Sequence, residues 1–260
     1  MCDVEGGMTT ILSAQALTKK YGARAALRDV ALAIEAGRIH GLLGPNGSGK
    51  TTALHIITGL IPADRGAVRI GGIDVGDKAS RRALGFAPDD LPLPAALTGR
   101  EYLRLHDALR GRDDASRADV LADALGIADD LSKPVGDYSH GMQRKLQLVA
   151  AVMHEPRLLV LDEPFRGLDP DAAAIVRSLL LSYARGGRGV LVATHDMLRA
   201  ERDCDAVTIL DHGSVAAFGT PEGLIAAYEG CVTLEDVFLR ATGRLGDAAR
   251  RAERVDSVFV

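Results

Sequence analysis

The spacing of apolar residues changes repeatedly along this chain, and each change marks a different kind of element. Leu12-Ser13-Ala14-Gln15-Ala16-Leu17 and residues 25–34 alternate as antiparallel strands do. Ala67-Val68-Arg69-Ile70, closed by Gly71-Gly72, extends that group. Residues 39–43 read as a short buried strand, and residues 50–58 as a helix stopped by Gly59. From Thr98 to about Ala128 the period turns helical, with Tyr102, Leu103, Leu105, His106 and Leu109, then Val120, Leu121, Ala124 and Leu125, on shared faces. Residues 142–154 predict another helix, sending Leu146, Val149, Ala150 and Val152 inward. Strand patterns return at residues 158–161, 189–193 and 206–210. The last turns at Asp211-His212-Gly213 into residues 214–218. Near the end, Thr233 caps an amphipathic helix with Leu234, Val237, Phe238 and Ala241 inward. The pattern predicts an α/β fold around a mainly parallel sheet, with an antiparallel β group and a helical insertion.

Bulk properties narrow this little. The 260 residues suffice for one large or two modest domains. A net charge of −4, aromatics at 4% and no Trp argue against nucleic-acid binding by a basic field or stacking platform. No apolar run approaches the roughly 20 residues of a membrane-crossing helix. There is no secretory signal pattern, and the first eight residues read as a disordered lead-in. Cys2, Cys204 and Cys231 lack metal-ligand spacing and are expected to be reduced thiols in a cytosolic protein.

The chemistry lies in ordered motifs. Gly44-Pro45-Asn46-Gly47-Ser48-Gly49-Lys50-Thr51, followed by Thr52, fits a loop whose backbone N–H groups wrap the phosphates of a nucleoside triphosphate. Glycines let the backbone approach anionic oxygens, and the helix start adds partial positive charge. Lys50 would reach the β- and γ-phosphates, and the Thr51 hydroxyl would sit on Mg²⁺. The strand at residues 158–161 ends in two carboxylates. Asp162 is placed to hold Mg²⁺, and Glu163 to orient or deprotonate the attacking water. Just upstream, Tyr138-Ser139-His140-Gly141-Met142 opens a helix and makes a second anion site, which suits nucleotide held by another copy.

In this order the motifs resemble the ATP-binding subunits of ABC transporters, from about Ile11 to Gly243. The resemblance implies a P-loop NTPase core with an antiparallel β subdomain and a helical signature-bearing subdomain, about residues 90–156, inside a domain spanning 9–243. Residues 244–260 are left as a tail. It implies that Tyr21 stacks on adenine, that Ser139, Gly141 and Met142 form the signature loop, and that Asp169, in Gly167-Leu168-Asp169, belongs to the dimer-interface loop. His195 matches the switch histidine that contacts the γ-phosphate. Two departures stand out. His140 and Met142 replace Gly and Gln of the signature, a variation similar to bacterial drug and sodium exporters. Asp89 replaces the glutamine that reaches Mg²⁺, and is expected to approach the ion as a shorter ligand. Phe86 to Arg100, with Leu91, Leu93 and Leu97 exposed, is expected to receive a helix of a membrane-spanning subunit, the alternative being a loop packed on the helical insertion.

The function so implied is ATP hydrolysis, with ATP and Mg²⁺, driving transport, in the export direction, through separate permease subunits. The chain would act in a homodimer or heterodimer, cytoplasmic and peripheral on the inner face of the membrane. Two other readings stand beside it: a cassette ATPase acting on nucleic acid or ribosomes, and a regulatory subunit that holds ATP and hydrolyses it poorly.

Overall fold

The computed structural model describes residues 9–89, 92–111 and 116–245. The first eight residues and most of the tail lie outside that range. Among the described residues ten strands run in chain order: β1 Thr10–Tyr21, β2 Arg24–Glu35, β3 Ile39–Leu43, β4 Arg65–Ile70, β5 Ile73–Asp74, β6 Leu84–Ala87, β7 Leu158–Asp162, β8 Gly189–Thr194, β9 Ala206–Asp211 and β10 Ser214–Gly219. The helices are α1 Lys50–Ile57, α2 Lys78–Arg82, α3 Gly99–Ala108, α4 Ser116–Ala124, α5 His140–Val152, α6 Pro170–Arg185, α7 Met197–Asp203, α8 Pro221–Ala227 and α9 Leu234–Ala241.

The strands form two sheets. One has four antiparallel strands in the order β2-β1-β4-β5; the other has six in the order β10-β9-β3-β8-β7-β6. In the larger sheet every pairing is parallel except β10 with β9 at the edge. Parallel strands covered on both faces read as continuous apolar runs. Accordingly β3, β7 and β8 are buried throughout.

Alternation along β7 sorts side chains between two cores. Leu158 and Val160 join α1 and the antiparallel sheet, while Leu159 and Leu161 join α5 and α6 on the opposite face. Each of these four side chains is fully buried, a contribution of about 1.5–3 kcal/mol apiece. A third core gathers Leu43, Val207, Ile209, α7 and the last two helices.

The periodic elements appear where the pattern predicts them, with small shifts in their ends. β1 and β2 run to twelve residues each through several register irregularities, longer than simple alternation suggests. α5 begins at His140, two residues earlier than periodicity indicates, because Ser139 accepts a hydrogen bond from the Met142 amide. α9 carries the expected Thr233 cap, closed by Asp236. Helices α6, α7 and α8 lie outside the elements anticipated from periodicity. Each starts on a capping side chain, Asp169, Asp196 or Thr220. One expectation is corrected. Leu93 and Leu97 are half-buried, Leu93 packing on the core beside α5, and Leu91 lies outside the described residues.

Candidate functional site

The loop between β3 and α1 excludes a side chain at two of its positions. Gly44 and Gly49 have φ of 150° and 111°. A Cβ on Gly44 would drive into the Leu210 carbonyl, and one on Gly49 would stand 2.6 Å from the Ala26 carbonyl. Only glycine tolerates both constraints. Gly49 caps α1 without a side-chain bond, so the first-turn amides of Lys50, Thr51 and Thr52 keep no intrahelical acceptor. The Ser48 hydroxyl, 2% exposed, lacks a hydrogen-bond partner. Lys50 folds back, its ammonium donating to Gly44 O at 2.6 Å and Pro45 O at 3.3 Å. Burial pulls its pKa down, against Glu163 and Asp162, which push it up. Unfilled donors, an unsatisfied hydroxyl and a desolvated ammonium fit a polyanion.

β7 carries the two carboxylates. Asp162, 7% exposed, has its pKa pushed up to about 6, first by burial and then by the charges of Asp89 and Glu163; Lys50 and Arg144 oppose this. Such a carboxylate is one that a nearby cation would return to its charged form. Glu163 adopts φ +48°, which turns its carboxylate toward the end of β8. There Thr194 Oγ1 donates to Oε2 at 2.8 Å, and the His195 amide donates to Oε1 at 3.0 Å. His195 Nδ1 lies 2.6 Å from the same Oε1. With Glu163 ionised, the imidazole is the donor. The result is a carboxylate held at both oxygens with a histidine beside it.

Asp89, two residues past the end of β6, faces two arginines. Its Oδ1 pairs with Arg144 Nη2, and its Oδ2 accepts from Arg166 Nη1 at 2.6 Å. Arg144 also donates to Pro88 O at 2.9 Å and to Asp89 O at 3.1 Å. Both oxygens expected to approach Mg²⁺ therefore meet guanidinium groups.

These parts share one open cleft of about 760 Å³. Its walls include Pro45, Asn46, Gly47, Gly49, Lys50, Thr51, Thr52, Asp89, Asp162 and Glu163, with Tyr21, 53% exposed, at the mouth. Ser48 and Gly44 support the loop from beneath. Sequence reasoning missed Arg24, His55 and Arg166, which also line the cleft, and Thr194, which holds Glu163. His195 lines a neighbouring cavity with Gly44, Pro45, Asn46 and α9 residues Glu235 and Phe238.

Ser139, Gly141 and Met142 are not on the cleft's walls. Ser139 and His140 are exposed at the start of α5, and Gly141 sits so close to Gly167 O that an added Cβ would lie 3.0 Å from it. Asp169 caps α6, accepting from the Ala172 amide at 2.7 Å, a bond that leads the lowering of its pKa. Among the described residues no group of three or more His, Cys, Asp or Glu side chains is arranged to hold a metal ion.

With this geometry in hand, comparison with known proteins is direct. The ABC transporter family model matches residues 27–166. Over 244 residues the chain is 37% identical to the daunorubicin resistance ATP-binding protein DrrA3 of Streptomyces coeruleorubidus, covering 92% of this chain and 77% of that one. Over 222 residues it is 35% identical to the Nod factor export ATP-binding protein I of Burkholderia orbicola, covering 84% and 73%. A solved structure described as an ATP-binding subunit of an ABC transporter superposes with a TM-score of 0.85 at 33% identity, covering 90% of this chain and all of the other.

Proposed function

The chain belongs to the ABC transporter family as an ATP-binding subunit, and from that premise we propose that it hydrolyses ATP to drive export through separate membrane-spanning subunits. The export direction follows its likeness to proteins named for daunorubicin resistance and Nod factor export. No helix among the described residues is long and apolar enough to cross a membrane. In this reading, which rests on the family, the permeation path belongs to partner subunits and this chain works at the cytoplasmic face.

The observation that carries the hydrolytic reading is the fixing of Glu163. Both its oxygens are held, by Thr194 and by His195, at the tip of a strand that opens into the phosphate-loop cleft. Glu163 serves as the general base toward the attacking water, and His195 orients it and faces the terminal phosphate. Gly44 through Thr52 cradle the phosphates and Tyr21 stacks on the adenine. Thr51 and Asp162 would hold Mg²⁺, since their hard oxygens suit this ion. When bound, Mg²⁺ neutralises phosphate charge and polarises the transferring group.

Ser139, Gly141, Met142 and Asp169 belong to a second surface. The exposure of Ser139 supports a scheme in which the α5 start of one copy closes over nucleotide held by another, a homodimer or a heterodimer with a related cassette. The domain proper spans 9–243, and the helical part, about 90–156, moves with α5.

Glu163→Gln tests the assignment. It leaves ATP binding intact, lowers turnover by roughly 10²–10⁴-fold and traps a nucleotide-bound dimer. Turnover unchanged in a coupled phosphate-release assay overturns the base role.

A further inference from the structure

Two loops meet at Glu163. One runs from Glu163, just past β7, to Asp169, the cap of α6; the other runs from Thr194, at the end of β8, to Asp196, the cap of α7. The Glu163 amide donates to Ala193 O at 2.9 Å, which pins the first loop at its start. Thr194 Oγ1 then links the two loops. It donates to Glu163 Oε2 at 2.8 Å and accepts from the Asp196 amide at 3.1 Å.

A second link lies further out. The guanidinium carbon of Arg199, on α7, stands 4.2 Å from the ring centroid of Phe165, two residues past Glu163. That is well within the roughly 6 Å over which a cation is drawn to an aromatic face. Asp196 holds Arg199 in turn: the Arg199 amide donates to Asp196 Oδ1 at 2.9 Å, and its Nε makes a longer contact, 3.4 Å, with Oδ2. The Arg199 side chain is 26% exposed, so the stack is partly shielded from water. Contacts therefore close a circuit: Glu163 to Thr194, Thr194 to Asp196, Asp196 to Arg199, Arg199 to Phe165, and back along the chain to Glu163.

The circuit needs its last closure for two reasons. Glu163 sits at φ +48°, a conformation that persists only where the surroundings over-determine it. Packing does not hold Phe165 on every side either. Phe165 and Arg199 border a small cavity of about 20 Å³ with Leu180, Leu181 and Val192, so the ring has room to turn unless the guanidinium holds it.

We propose that Arg199 is a positioning residue for hydrolysis: stacked on Phe165, it fixes the loop that carries Glu163 and keeps that carboxylate aimed between Thr194 and His195. This rests on the ATPase reading above. Neither Arg199 nor Phe165 lines the phosphate-loop cleft, so the clamp acts on the chemical step and leaves nucleotide binding alone. A small misplacement of a reacting group costs rate without costing affinity.

The test uses the full chain. Kd for a fluorescent ATP analogue, kcat and KM for phosphate release, and nucleotide-binding stoichiometry are measured together, so that kcat is counted per folded site. Arg199→Ala lowers kcat about fivefold, the loss of one partly shielded cation–π contact, while Kd stays within about twofold of the parent. Arg199→Lys, which keeps the cation, recovers part of the loss. Phe165→Leu, which stays apolar and loses the aromatic face, lowers kcat by a similar factor, and the double variant is no slower than the slower single one. Three results overturn the proposal: a parental kcat in Arg199→Ala, losses that multiply in the double variant, or a loss confined to KM and Kd or to the number of folded sites. If Phe165→Leu fails to fold, Arg199→Ala and Arg199→Lys decide the matter alone. Glu163→Gln, run in parallel, separates the two claims. Unchanged turnover in that variant removes the base reading itself, whereas lost turnover there with a parental kcat in Arg199→Ala removes only this one.

Discussion

Two helices in this chain begin in ways that suit an anion, and they are finished differently. The α1 end has no side-chain cap, is wrapped by strained glycines and has a buried ammonium folded over it. The α5 end is capped by its own Ser139 hydroxyl, and Ser139 and His140 stand exposed. A capped, exposed terminus is content by itself, whereas an uncapped, walled one has donors still to fill. The same local physics thus yields a walled pocket in one place and an exposed, self-capped helix start in the other. The contrast teaches that a helix start becomes a binding site through what surrounds it.

The largest effect expected from breaking this contrast is at α1. Lys50→Ala removes two charge-assisted contacts from bound phosphate, about 3–6 kcal/mol of nucleotide affinity. Because Lys50 is buried and burial already pulls its pKa down, the same change leaves the melting temperature unchanged or raised. A nucleotide titration paired with a thermal melt checks both halves. A variant that binds normally would erase the distinction between the two ends.

The scaffold under α1 also carries a pH response. His40, on the strand that feeds the glycine loop, is 2% exposed, bonds to Thr208 Oγ1 at 2.8 Å, and has its pKa lowered to about 4 by burial. Unfolded, it would titrate near 6.5, so acid favours the unfolded chain. Stability is fully present above about pH 6.5 and falls by about 3 kcal/mol as pH drops toward 4. Urea unfolding at pH 7.5 and 4.5 measures this. His40→Gln should flatten the difference by that amount, and an unaltered slope would show that His40 carries none of it.

At α5 the effect is smaller and of another kind. Ser139→Ala loses a cap worth about 1 kcal/mol of stability and leaves the monomer's nucleotide affinity unchanged. Turnover falls most where it depends on protein concentration. Nucleotide affinity falling as far as in Lys50→Ala would place both helix ends in one pocket and end the comparison.

Much of this was legible in the sequence because it is written locally. Residues 39–43 are apolar throughout and lead straight into a glycine-dense loop, so β3 and α1 follow from neighbours in the chain. The carboxylate pair announces itself at the end of an unbroken apolar strand. What escaped depends on segments brought together from afar. Asp89 meets Arg144 across 55 residues and Arg166 across 77, and Thr194 reaches Glu163 across 31. Nothing in the spacing of Asp89 shows that two arginines will claim it. The one available signal was Arg166 itself, a basic residue three places past Glu163. Leu93 misled for the opposite reason. An apolar residue among prolines looks exposed until the core beside α5 is there to receive it.

The alternation of β7 between two cores has a consequence for where chemistry happens. Leu158 and Val160 face one interior, Leu159 and Leu161 the other. Sliding the strand by one residue would swap the contents of both interiors at once. Asp162 and Glu163 therefore cannot creep toward or away from the phosphates by small steps. Their reach is quantised by packing, like a ruler with a single permitted notch.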